Sequence, residues 1–305
     1  LMTGDAAIAP REASQADDRK NRLVLPRGRH YDLPGRGRTF ARVLPAPPGA
    51  PTILLLHGWT ATADLNWYSS YGALEGKYGL VALDHRGHGR GIRSQRPFRL
   101  TDCADDAVAL LDVLEVETVI AVGYSMGGPI AQLIWRRHPK RVLGLVMCAT
   151  AASFSTTRQD QVRFAAIGTL AQAARVIPRA LRQLIGSQLL TGKTGRDLRQ
   201  WAIGELRRHD PLKLIQAGRR IGLFDSRRWL RTIDVPVSAV VTTEDEVVSL
   251  ARQRAMLEVI PGATWHDVAG SHTVCVSHPE TFRKAFLAAI SDVLTNSSWT
   301  EVDVD

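Results

Sequence analysis

The pentapeptide Gly123-Tyr124-Ser125-Met126-Gly127 restricts the possible folds of this chain more than any other feature of its sequence. It follows the apolar run from Thr118 to Val122 and precedes a helix-like stretch from Gly128 to Arg137. A serine on a sharp turn between a strand and a helix needs small neighbours, because its backbone is strained and its hydroxyl must stand clear of the sheet. The two glycines meet that need. In this context a nucleophilic serine is a better interpretation than an ordinary glycine-rich turn.

The same turn predicts one half of an oxyanion hole. The amide of Met126, at the start of the following helix, points to the place where negative charge develops during acyl transfer. The second donor is expected from the loop after an early buried strand, and the segment from Thr52 to Trp59 supplies both. We therefore predict the amides of Trp59 and Met126 as oxyanion donors, with His57 bracing the loop through hydrogen bonds.

A serine hydroxyl is a weak nucleophile at neutral pH, so Ser125 needs a histidine to accept its proton and a carboxylate to orient that histidine. The apolar run from Val235 to Thr242 predicts a buried strand, and a parallel sheet builds its sites at the carboxyl ends of such strands. Three carboxylates follow this strand and compete for the role: Glu244, Asp245 and Glu246.

The histidine is expected on the loop after the next predicted strand, which runs from Ala263 to Val268. His272 lies on that loop and is our candidate for the general base. Its rivals are His266, inside the strand, and His278, which precedes Pro279 at the predicted start of the last helix.

These segments together resemble the α/β-hydrolase superfamily, in particular its lipase, esterase and peptidase-like members with a helical lid. The resemblance spans roughly residues 38–294 and is carried by Leu56-His57-Gly58-Trp59, the segment from Leu83 to Arg90, the segment from Gly123 to Gly128, the Asp245 loop, and His272 with Pro279 seven residues later. The resemblance selects Asp245 among the three carboxylates, because the family shows the same D-x-V-V pattern after its catalytic acid. It implies Ser125 as nucleophile, Asp245 as acid, His272 as base, and the amides of Trp59 and Met126 as oxyanion donors.

The resemblance also implies an α/β fold with a mostly parallel, doubly wound sheet and an inserted helical cap. The expected activity is that of a serine hydrolase cleaving carboxylic esters with acyl or lipid-like groups, without cofactor or metal. Asp84, His85 and His88 have metal-ligand side chains, but the family uses the corresponding segment as a structural turn. Carbon-carbon hydrolysis, amide cleavage, acyl transfer and cofactor-free peroxidation use the same triad and stay open, as does a ligand receptor with a retained pocket. Serine at position 125, where aspartate would be expected, argues against dehalogenase and epoxide hydrolase chemistry.

Three regions are expected along the chain. Residues 1–37 form a flexible tail and lead into the first strand, residues 38–150 and 234–305 form the core, and residues 151–233 form the lid. Within the lid the strand pattern gives way to helical spacing of the apolar residues Val162, Ala166, Leu170, Ala173 and Ile177. Such an insertion is expected to cover the site, shape the substrate pocket and exclude water.

Positive charge is concentrated in this predicted lid. Residues 151–233 contain 16 Lys and Arg against 5 Asp and Glu, whereas the whole chain has a net charge of +9. A basic cap favours anionic lipid surfaces or substrates that carry carboxylate or phosphate groups; an arginine-rich solvated face is the alternative. Nucleic acid is not an expected partner, because no binding motif is present.

The remaining sequence features favour a cytoplasmic protein. No apolar run approaches the roughly 20 residues that cross a bilayer, and residues 1–22 lack the apolar core of a secretion signal. The three cysteines match no metal or redox spacing, which favours a reducing compartment. The oligomeric state stays open.

Overall fold

The computed structural model describes residues 25–155 and 196–297. In this part of the chain the fold is built on a sheet of eight strands: β1 Gly28–Leu33, β2 Gly37–Leu44, β3 Thr52–Leu56, β4 Gly79–Leu83, β5 Val119–Tyr124, β6 Val142–Cys148, β7 Val237–Thr242 and β8 Thr264–Val268. The strand order is β1-β2-β4-β3-β5-β6-β7-β8. β1 and β2 pair antiparallel, β2 also pairs antiparallel with β4, and all further pairs are parallel. The mostly parallel, doubly wound sheet predicted from the sequence is confirmed.

Helices connect the parallel strands and cover both faces of the sheet. They are α1 Ala63–Trp67, α2 Tyr71–Leu74, α3 Leu100–Val113, α4 Gly127–Arg137, α5 Arg196–Leu206, α6 Pro211–Gly222, α7 Leu250–Leu257, α8 Val274–Ser277 and α9 Pro279–Asn296. Short 3-10 turns occupy Pro139–Arg141 and Leu230–Thr232. None of the helices within residues 25–155 and 196–297 is both long and apolar enough to cross a membrane.

The core consists of two hydrophobic layers, one on each face of the sheet. Along β3, Leu54 and Leu56 belong to one layer, whereas Ile53 and Leu55 belong to the other. This alternation follows from the two-residue period of a strand. Because both faces are covered, the central strands are continuous apolar runs, which made them visible in the sequence.

The structure adds detail to two of the predicted regions, residues 1–37 and residues 151–233. β1 lies inside residues 1–37, the region predicted to be a tail and the approach to the first strand. It is an edge strand in which only Tyr31 and Leu33 are buried, so it lacks the apolar run that marks the central strands. Between β6 and β7 the described residues form α5 and α6, and the apolar spacing from Val162 to Ile177 lies outside the described residues.

Candidate active site

Ser125 lies on a tight turn between β5 and α4, at the carboxyl edge of the sheet. Its φ angle is 51°, a left-handed conformation that is strained for a residue with a side chain. The turn is fixed by hydrogen bonds: the Ser125 amide donates to the carbonyl of Cys148, and the Ser125 carbonyl accepts from the Gly128 amide and the Thr150 hydroxyl. A Cβ atom at Gly123 would collide with the backbone of Gly127, so the first glycine of the motif is required by close packing.

His272 and Asp245 meet Ser125 in a continuous chain of hydrogen bonds. The Nε2 atom of His272 lies 2.9 Å from Ser125 Oγ, and its Nδ1 atom lies 2.8 Å from Asp245 Oδ2. A carboxylate only accepts, so Nδ1 carries the ring proton and Nε2 is free to accept the serine proton. These three side chains come from the ends of β5, β7 and β8.

The Asp245 carboxylate is buried and fully hydrogen-bonded. Oδ1 accepts from the amides of Val247 and Val248, each at 2.8 Å, while Oδ2 accepts from the Thr242 hydroxyl at 2.7 Å as well as from His272. Burial alone would raise the pKa of Asp245, but the hydrogen bonds, with that from His272 the strongest, lower it below its ordinary value. The acid therefore stays ionised and holds one orientation of the imidazole.

The competing residues lie elsewhere. The side chains of Glu244 and Glu246 are exposed. His266 bonds to Asp292 through Nε2, at 2.9 Å, on the sheet face that packs against α9. His278 occupies the residue before α9 and its side chain makes no capping hydrogen bond there.

The two predicted oxyanion donors are the amides of Trp59 and Met126. Within residues 25–155 and 196–297, neither the Trp59 nor the Met126 amide donates a hydrogen bond to a protein acceptor. The neighbouring Gly58 amide donates to Asn66 Oδ1 at 2.7 Å, and a Cβ atom at Gly58 would lie 3.3 Å from the Cβ of Ser125. The loop therefore passes within van der Waals distance of the serine.

His57 braces this loop, as its position suggested. Its Nε2 atom accepts from the His85 amide at 2.9 Å, so Nδ1 carries the proton and donates to the Gly58 carbonyl at 2.8 Å. The ring packs in a cluster with His85 and His88, and His209, from the loop before α6, packs on His88. Burial is the largest cause of a lowered pKa in all four histidines, to about 3 for His85 and about 4 for His209.

No group of three or more His, Cys, Asp or Glu side chains with the geometry of a metal site occurs in the part of the chain that the structure describes. Asp84 instead accepts from the amides of Ala63 and Arg90 at the end of β4. Arg90 bonds further to Asp64 and, on α5, to the buried Glu205. The segment after β4 is thus a structural turn, and it ties α5 to the core.

Three positioning contacts were not visible in the sequence. Asn66 holds the oxyanion loop, the Tyr124 hydroxyl donates to the His272 carbonyl at 2.7 Å, and the Trp59 indole bonds to Leu214 of α6. Each contact joins residues that are distant in the chain or lie on different elements, so no short sequence motif predicts it.

Comparison with known proteins places this chain in a family. A family model described as the alpha/beta hydrolase fold matches residues 51–279. The 3-oxoadipate enol-lactonase 2 of Acinetobacter baylyi is 25% identical over 229 residues, which cover 73% of this chain and 83% of that protein. Epoxide hydrolase B of Mycobacterium tuberculosis is 35% identical, but only over 125 residues, 38% of this chain and 34% of the relative.

Solved structures agree with this assignment at the level of the fold. An esterase from Exiguobacterium antarcticum superposes with a TM-score of 0.75 and 20% sequence identity, covering 87% of this chain and all of that chain. The sheet order, the turn at Ser125 and the family match lead to one conclusion: this chain belongs to the α/β-hydrolase family.

Proposed function

We propose that the protein is a serine hydrolase that cleaves carboxylic esters through an acyl-enzyme. The observation that carries this proposal is the hydrogen-bonded chain from Ser125 through His272 to Asp245, beside two amides that find no acceptor among the described residues. A nucleophile, a base, an acid that orients the base, and donors for an oxyanion are the parts that acyl transfer requires.

The reaction follows from this arrangement in two halves. Ser125 Oγ attacks the ester carbonyl while His272 Nε2 takes its proton, and the amides of Trp59 and Met126 bind the oxyanion. The imidazolium, stabilised by Asp245, then returns the proton to the leaving alcohol and the acyl-enzyme forms. Water activated by the same histidine attacks the acyl group and releases the acid and Ser125.

The names of the relatives favour esters among the possible substrates. A lactone is a cyclic ester, and the enol-lactonase matches most of this chain. The partial similarity to an epoxide hydrolase does not extend to the mechanism we propose, because a chemistry that passes through an alkyl ester on a carboxylate needs an aspartate where this chain has Ser125. Carbon-carbon hydrolysis, amide cleavage, acyl transfer to alcohols and peroxidation remain outcomes of the test.

The test is hydrolysis of p-nitrophenyl esters from acetate to palmitate by the wild type and by Ser125→Ala. We expect turnover in the wild type and loss of about 10⁴-fold or more in the variant. Ser249→Ala is the matched control, because Ser249 is exposed and its side chain makes no capping hydrogen bond at α7. A fluorophosphonate should label Ser125 of the wild type covalently. Retained esterase activity in Ser125→Ala would remove the proposal, and an unlabelled, inactive wild type would favour a receptor.

We also propose peripheral contact of the basic insertion with anionic lipid surfaces. The described part of the insertion offers one candidate surface, the outer face of α6, where Arg219 and Arg220 are exposed and Leu212 and Leu223 are 47% and 55% exposed. Residues 212, 219, 220 and 223 fall on one side of a helix with 3.6 residues per turn. Paired apolar and cationic side chains are typical of helices that bind the membrane interface.

A further inference from the structure

The oxyanion loop, Gly58 to Thr60, is in direct contact with helix α6. The indole Nε1 of Trp59 donates a hydrogen bond to the carbonyl of Leu214 at 2.8 Å. Leu214 belongs to the insertion between β6 and β7, whereas Trp59 follows β3 at the centre of the sheet. A residue whose amide is a proposed oxyanion donor is therefore anchored, through its side chain, to the insertion.

Gly218 makes this contact close. It lies one turn after Leu214 on the same face of α6, and a Cβ atom there would lie 2.6 Å from Trp59 Cζ2 and 2.9 Å from Cη2. Glycine inside a helix is less favourable than alanine, so it is expected where another group approaches the backbone. The indole ring is that group.

The other end of the loop is held by the core. Asn66 accepts from the Gly58 amide at 2.7 Å, and Thr60 has a φ angle of 60°. A β-branched residue in the left-handed region is strained and keeps this conformation only where its surroundings fix it. The Trp59 amide thus lies between an anchor in the core and an anchor on α6.

We propose that α6 positions the Trp59 amide for oxyanion binding, and that Leu214 and Gly218 are positioning residues for the reaction. This inference rests on the proposed function. An amide donor that shifts by about 1 Å is expected to lower the rate by up to about 100-fold, because oxyanion stabilisation depends on preorganised geometry. The effect falls on the transition state, where the negative charge develops, so kcat changes and KM changes little.

Two variants perturb the contact from opposite sides. Trp59→Phe keeps an aromatic ring and removes the indole N–H, and Gly218→Ala introduces a methyl group that pushes the indole away. In each we expect kcat for a p-nitrophenyl ester to fall by about 10-fold to 100-fold and KM to change less than about twofold. Affinity for a trifluoromethyl ketone, which forms a tetrahedral oxyanion adduct with the serine, should fall by the same factor as kcat.

Gly204→Ala is the matched control. Gly204 lies in the neighbouring helix α5, and no atom would lie within 4 Å of an added Cβ. We expect its kcat to equal that of the wild type. The double variant Trp59→Phe/Gly218→Ala should lose less than about twofold more than Trp59→Phe alone, because phenylalanine lacks the two ring atoms that the new methyl group would meet.

The outcomes separate this inference from the proposed function. Unchanged kcat in both single variants of an enzyme whose Ser125 reacts with a fluorophosphonate would overturn the role of α6 and leave the hydrolase standing. An equal loss of kcat in Gly204→Ala would also overturn this inference, because any disturbance of the insertion would then lower kcat. A wild type that neither turns over esters nor is labelled at Ser125 would remove both proposals together.

Discussion

Replacement of the buried His85 is expected to change how the protein responds to acid. Its ring centroid lies 4.3 Å from that of His57, with the two rings tilted by 44°, and burial lowers the pKa of His85 to about 3. Neither ring nitrogen has a hydrogen-bond partner in the residues that the structure describes, so His85→Leu breaks no side-chain bond there. The His85 amide, which donates to His57, is kept in the variant.

The direction and size of the effect follow from proton linkage. Unfolded, the histidine has its ordinary pKa of 6.5, so below about pH 6.5 the unfolded chain binds a proton that the folded chain does not. Stability is therefore lost as the pH falls from about 6.5 towards about 3. From pH 7.5 to 5.0 one such histidine removes about 2 kcal/mol from the free energy of unfolding, at about 1.4 kcal/mol per pH unit.

The other buried histidines of the cluster add to this loss. His209, whose pKa burial lowers to about 4, also removes about 2 kcal/mol, so His85 and His209 together remove roughly 4 kcal/mol between pH 7.5 and 5.0. The lowered pKa values of His57 and His88 act in the same direction. Because a typical folded protein is stable by about 5 to 15 kcal/mol, the wild type is expected to be markedly less stable at pH 5.0 than at pH 7.5.

Urea unfolding followed by circular dichroism at pH 7.5, 6.5 and 5.0 measures these free energies. Between the two extremes, His85→Leu should lose about 2 kcal/mol less than the wild type. His30→Leu is the matched control, because His30 lies exposed on β1 and its removal leaves the buried cluster complete. Curves for His85→Leu and wild type that run parallel across this pH range would refute the reasoning.

Three other perturbations test the remaining contacts. Arg90→Met removes one cationic partner from the buried carboxylates Asp64, Asp84 and Glu205 and should lower the free energy of unfolding by about 1.5 to 3 kcal/mol, because Arg42, Arg208 and the Ala63 amide still bond to them. Arg38→Met, at an exposed ion pair, should change it by less than about 1 kcal/mol; urea melts compare the two. Asp245→Asn should lower kcat about 10⁴-fold with an unchanged circular dichroism spectrum, because the amide disfavours the imidazole tautomer that accepts from serine. Replacing both Arg219 and Arg220 with glutamine should reduce the fraction of protein that sediments with phosphatidylserine vesicles at low salt. An equal fraction in variant and wild type would indicate a solvated arginine face.

Features encoded in short segments were the ones that could be predicted from the sequence. The turn around Ser125 can be predicted from the sequence for two reasons. Close packing requires its glycines, and the apolar run before it is a strand covered on both faces. The choice of Asp245 needed the family resemblance, since Glu244 and Glu246 are chemically equivalent neighbours in the sequence. The structure distinguishes them by burial and by the four hydrogen bonds that Asp245 accepts.

Features that depend on which elements pack together could not be predicted in this way. His209 joins the histidine cluster from a distant part of the chain. Its Nδ1 atom accepts a hydrogen bond from the amide of Gly89, 120 residues away. Gly218 lies inside a helix, and its role becomes visible only through the indole of Trp59, 159 residues away in the chain, which packs against it. The edge strand β1 lacked an apolar pattern because it lies at the end of the described sheet and most of its side chains are exposed.

The hydrogen bond from Tyr124 to the His272 carbonyl has a consequence for motion within the site. Tyr124 immediately precedes Ser125, so the main chain that carries the proposed base is tied to the strand that carries the proposed nucleophile. We expect this tie to make the two groups move together when the sheet flexes or neighbouring loops rearrange, which would limit changes in the separation between Oγ and Nε2. In the proposed reaction, substrate entry and product release would then deform the surroundings without separating the base from the nucleophile.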